Sequence, residues 1–120
     1  KLRELSYEIA ADYTMEGNLI GHIVIGTEIL REALGRHPGI PPGMALELEH
    51  MILSHHGQKE LGSPVTPMTP EAFVLAAADD LDAKMHQIRR HIATDPSPGR
   101  FTTYNRHLGR ALLKPEPEGE

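Results

Sequence analysis

Two histidines stand side by side at His55 and His56, where the apolar run Met51-Ile52-Leu53 stops and "GQKELGSPVTPMTP" begins. A third, His22, follows Gly21, with Gly26 one helical turn further on. In "AAADDLDAKMH" the residues Asp79, Asp82 and His86 recur at i, i+3 and i+7, the spacing of one helix face. An ionised carboxylate beside the small apolar stripe Ala76–Ala78 needs a partner or a metal. Imidazole and carboxylate together suit borderline or harder divalent ions such as Mn2+, Fe2+, Co2+ or Zn2+. His22, His55, His56 and Asp79 are therefore the candidate metal-facing set, drawn from three separate segments.

Each member also has an ordinary reading. A lone helical histidine is commonly a packed or surface residue. A histidine pair at a helix C-terminus is favourable with the helix dipole. Asp80 and Lys84 make an ordinary i,i+4 pair on a solvated acidic face. The order and spacing of the set carry more than any one residue does.

The elements that must position these residues read as helices. Asn18 can cap a helix from Leu19 to about Leu34, with Gly35 as its stop. The glycines inside it would each cost about 1 kcal/mol relative to alanine, which calls for close packing or a ligand beside His22. A second helix is expected from about Gly43 to His55, ended by Gly57. The proline-rich segment after it reads as a stiff loop. Thr69-Pro70-Glu71 is a strong helix start, and the third helix should run from about Pro70 to Ala93. A short fourth helix is expected over Tyr104–Leu113, and "KPEPEGE" reads as a solvated tail. Residues 1–18 read as loop or short extended structure, with no convincing strand. The fold class is all-α: three main helices plus a short fourth.

The composition excludes several classes. With no cysteine, neither a disulfide framework nor a thiolate zinc site is available, which fits a reducing, cytoplasmic setting. No apolar run approaches a membrane span. A net charge of −5 argues against a self-sufficient nucleic-acid binder. The charge is uneven, however: Arg89, Arg90, Arg100, Arg106, Arg110 and Lys114 crowd the last third, either as a solvated face or as a phosphate-facing rim. The chain opens on Lys1 and is expected to begin inside a longer protein.

The runs "LIGHIVIGTEIL", "LEHMILSHHG" and "ADDLDAKM" resemble the C-terminal part of an HD-domain metal phosphohydrolase. The resemblance is closest to the YhaM-type 3′→5′ exoribonuclease group, and it extends through "ELSY", "DYTMEG", "ELGSPVTPMTPEA" and "FTTYNRHLGR" to nearly the whole chain. It implies that residues 1–114 are a partial HD domain lacking its N-terminal helices, with residues 115–120 a flexible tail. The family's early histidine and His-Asp pair would lie upstream, since "LRELSY" matches the segment that follows them.

Carried over residue by residue, the resemblance implies that Asp79 is the distant aspartate of a first metal site. His22 and His55 would hold a second ion. His56 would bind metal, orient a ligand or touch phosphate, and Asp82 would support the ligands from behind. Lys1 would match a motif lysine that meets a phosphate oxygen. The implied cofactor is a divalent ion, Mn2+ first, with Mg2+, Fe2+, Co2+ or Ni2+ as alternatives. The implied activity is metal-dependent phosphodiester hydrolysis, with RNA degraded from its 3′ end by the parent protein and the chain alone inactive. Two alternatives stand beside it: a hydrolase of nucleotides or cyclic nucleotides, and a non-catalytic helical interaction module. Loss of the upstream helices would bare apolar faces, so a homodimer is also expected.

Overall fold

The computed structural model describes residues 5–6 and 12–116. It divides into two units, Lys1–Asp79 and Asp80–Glu120.

In the first unit, a two-residue antiparallel ladder pairs β1 (Leu5–Ser6) with β2 (Asp12–Tyr13), a short extended piece in an otherwise helical unit. Next comes α1 (Met15–Leu19), capped by Thr14, whose Oγ1 accepts the Gly17 N–H at 2.9 Å. The helix expected from Leu19 to about Leu34 forms, but starts three residues later. Gly21 sits at φ +81°, a conformation open to glycine, and divides α1 from α2 (His22–Gly35). Gly21 therefore carries no mid-helix cost. It makes His22 the first residue of α2 instead of an interior one.

The following helix, α3 (Pro42–Ser54), starts on a proline at its first position and stops one residue short of the expected His55. Arg31 of α2 grips Glu49 of α3 through two bonds of 2.8 and 3.1 Å, and His22 meets His56 at the other end, so the two helices run antiparallel. Gly26 lies at their contact: a Cβ built there would stand 3.4 Å from Ile52 Cγ2.

A 3-10 turn at Lys59–Leu61 interrupts the proline-rich loop. The loop is tied back where Met68 N–H donates to His50 Nε2 at 2.9 Å. Helix α4 (Pro70–Thr94) then starts at the expected proline, with Thr69 Oγ1 accepting the Ala72 N–H at 3.2 Å. Among the described residues, only Ile25 and Ala72 are fully buried apolar side chains. Met15, Leu19, Phe73 and Val74 stand largely in solvent.

The second unit corrects the expected fourth helix. Residues 101–114 form an irregular hairpin, with bridges Phe101–Leu113 and Asn105–Arg110. The apolar spacing of "YNRHLGRALL" suggests a helix, but local turn chemistry overrides it. Asn105 Oδ1 takes the Leu108 N–H at 3.0 Å, and Gly109 at φ +67° reverses the chain. Asp95 clasps the hairpin base. Its carboxylate faces Lys114 Nζ at 2.8 Å, accepts the Thr103 N–H and hydroxyl at 2.7 Å each, and accepts from Ser97. Those donors, Lys114 foremost, hold the Asp95 carboxyl well below the usual carboxylate range.

Candidate metal centre

The centre forms where α2 begins and α3 ends. His22 reaches it as the first residue of α2. His55 caps the end of α3, and its Nδ1 lies 2.5 Å from the Ile52 carbonyl oxygen. A carbonyl only accepts, so Nδ1 carries the proton and the neutral ring keeps its lone pair on Nε2. Metal-binding histidines are commonly oriented in this way by a bond from the other ring nitrogen.

His56 follows in a turn that three contacts shape. Gly57 N–H closes on the Ser54 carbonyl at 2.8 Å, and the His56 N–H donates to the buried Ser63 Oγ at 3.0 Å. Gly57 itself sits at φ +77°, with its missing Cβ 3.6 Å from the Ala76 Cβ on α4. Asp79 lies three residues beyond Ala76, hence next to His56. His56 Nδ1 is 3.9 Å from Asp79 Oδ2, while His56 Nε2 is 2.8 Å from His22 Nε2.

One nitrogen from each of His22, His55 and His56 lies within 4.8 Å of the others. The ring centroids are 4.3 to 5.4 Å apart. Two donors at about 2.1 Å from one ion stand about 3.0 Å apart at a right angle and about 3.4 Å apart in a tetrahedron. The donor type suits a transition-metal ion, and the 2.8 Å between His22 Nε2 and His56 Nε2 is near the right-angle value. Imidazoles fit Mg2+ poorly, because that ion prefers oxygen donors.

The set differs in one respect from the sequence reading. His56 stands inside the cluster of nitrogens. Asp79, expected as a ligand, stands outside it and faces the far nitrogen of His56. Asp82 lies exposed on α4 in the second unit, and Lys1 lies outside the described residues. His37 is one helix length from His22, about 20 Å along α2. His107 belongs to the second unit. Sequence reasoning missed the Ile52 carbonyl, Ser63 and His50, the groups that aim the turn and secure the loop. The only hint was Gly62 before Ser63: at φ +98° it turns the chain back toward His56.

The HD domain family matches residues 4–84. The chain is 46% identical over 102 residues to the 3′-5′ exoribonuclease YhaM of Geobacillus sp. (strain WCH70), covering 85% of this chain and 31% of that protein. It is 44% identical over 103 residues to the protein of the same name from Bacillus subtilis (strain 168), covering 85% and 32%. With the one from Shouchella clausii (strain KSM-K16) the identity is 43% over 116 residues, covering 96% and 36%. The chain thus spans about a third of the length of these curated relatives. No solved structure matches it.

Proposed function

The chain belongs to the HD-domain family, and from that premise we propose that it is the metal-holding part of a phosphodiesterase that degrades RNA from the 3′ end. The observation that carries this reading is the convergence of His22, His55 and His56 on one point. Neutral imidazoles leave an ion Lewis-acidic, which phosphodiester hydrolysis needs. A divalent ion bound there supplies positive charge to the phosphoryl oxygens and favours ionisation of water at neutral pH.

The chain's own residues have separate tasks. His22, His55 and His56 hold the ion. The Ile52 carbonyl orients His55, and Asp79 sets a negative charge 3.9 Å from His56 Nδ1. The proposed ion is Mn2+, as the family resemblance implies, with Fe2+, Co2+ and Ni2+ as alternatives that imidazole donors bind more tightly. The RNA assignment rests on the names of the relatives. The cytoplasm is the proposed setting: among the described residues no helix is long and apolar enough to cross a membrane, and the chain has no cysteine. The homodimer remains a proposal supported by exposed Phe73 and Val74, and light scattering across a dilution series tests it.

The test of the function is release of nucleotides from a 5′-labelled single-stranded RNA, with Mn2+, by the protein that carries this chain. His22→Ala and His55→Ala should each abolish release while RNA binding persists. Unchanged release would reject the metal role. Release from cyclic nucleotides but not RNA would move the substrate to the alternative class, and no release from either would favour an interaction module.

A further inference from the structure

The second unit holds two adjoining cavities that share His107. The first, of about 260 Å3, is lined by Arg90, Asn105, His107 and Gln87 among others, and by no carboxylate. Among the described residues the Arg90 guanidinium makes no hydrogen bond or ion pair; only the backbone carbonyl accepts, from Thr94 Oγ1 at 2.9 Å. Asn105 spends its oxygen on the Leu108 N–H, so its amide NH2 is left to donate. His91, also in the lining, is anchored by its Nε2–H on the Thr103 carbonyl at 2.9 Å. The cavity is thus rich in donors with no competing anion.

The second cavity, of about 360 Å3, has an apolar floor of Ile88, Leu108 and Leu112 and a cationic rim. Arg110 on that rim is steadied by its Nε–H on the Leu108 carbonyl at 3.0 Å. Lys84 is already paired with Asp80 at 2.6 Å. The surrounding charge favours an anion as well. From Lys84 to Lys114 there are seven Lys and Arg residues and one acid, in a chain of net charge −5. That one acid, Asp95, is neutralised by Lys114.

We propose that these cavities bind one nucleotide of a single RNA strand, its phosphodiester beside Arg90 and Asn105 and its base on Ile88, Leu108 and Leu112. Single-strand binders combine cationic backbone contacts with ring surfaces on which bases stack; here the base surface is aliphatic, with the His107 ring shared by both cavities. The proposal rests on the RNA reading above but uses none of its metal residues. The Gly109 turn that defeats the fourth helix is what brings Asn105, His107 and Arg110 to one rim.

Fluorescence anisotropy of a labelled oligouridine, in EDTA and across a salt series, tests it in the whole chain. Arg90→Ala should weaken binding about two- to fivefold, the range of one exposed ion pair. It should also flatten the log–log salt slope by about 0.7. Arg89→Ala removes the same charge one position away, lines neither cavity, and should change neither quantity. Equal losses from the two variants would overturn the proposal, as would absence of binding. Inorganic polyphosphate of matched charge competing as well as RNA would overturn it too, since the base would then contribute nothing. EDTA separates the two readings: binding that survives in EDTA but no hydrolysis with Mn2+ would sink only the catalytic one.

Discussion

His22 Nε2 and His56 Nε2 lie 2.8 Å apart, although 34 positions separate them in the chain. Two ring N–H groups cannot both point into that gap, and two bare lone pairs repel. Either one nitrogen carries a proton and the other accepts it, or both lone pairs face a cation. His56 Nδ1 faces Asp79 Oδ2 at 3.9 Å, an ion-pair distance and not a hydrogen bond.

If Asp79 orients His56 and does not itself bind the ion, the variants should grade. Asp79→Asn should lower Mn2+ affinity about 10- to 100-fold, the cost of losing an outer partner. His55→Ala should remove measurable binding. Calorimetric titration of both distinguishes them, and an equal loss would promote Asp79 to a ligand.

Gly57 holds a left-handed conformation at φ +77° against Ala76. Gly57→Ala should cost about 1–2 kcal/mol of stability and weaken metal binding, because His56 turns with it. Gly39→Ala, where no neighbour lies within 4 Å, should be near neutral. Thermal unfolding of the pair reports the contrast.

Gly26 lies where α2 packs on α3. A Cβ there would stand 3.4 Å from Ile52, ordinary contact, so Gly26→Ala should be tolerated or gain up to about 1 kcal/mol of helix propensity. Gly26→Leu should cost about 1–3 kcal/mol by overpacking. It should also disturb His55, since Ile52 supplies the carbonyl that orients that ring. Chemical denaturation with urea, paired with Mn2+ titration, reads both effects.

Asp95 is depressed in the folded chain by Lys114 and its other donors. A carboxylate held below its unfolded value binds fewer protons when folded than when unfolded. Its stabilisation is therefore complete above the unfolded range, near 3.9, and is lost as pH falls through and below it. Melting temperature should drop with acid in the native chain. Asp95→Asn should melt lower at neutral pH and show a shallower acid dependence.

The sequence made some elements legible and hid others for identifiable reasons. The α4 start was readable because Thr69 and Pro70 cap by local chemistry alone. The histidine pair was readable as a helix end because Gly57 marks it. The break at Gly21 was not, since apolar spacing runs straight through from Leu19 and only the backbone shows φ +81°. The hairpin at 101–114 was hidden because Asn105, Gly109 and the Asp95 clasp override a helical apolar period. The place of Asp79 behind His56 depends on how the Gly57 turn meets Ala76, a tertiary contact with no sequence period.

The central claim is that His22, His55 and His56 hold one divalent ion. Its most direct test is titration of the 120-residue chain with Mn2+, followed by electron paramagnetic resonance, beside His22→Ala and His55→Ala with helical content checked by circular dichroism. The native chain should bind one saturable ion, and each folded variant should bind it at least tenfold more weakly. Saturable binding unchanged in both variants, or none in the native chain up to millimolar Mn2+, would contradict it.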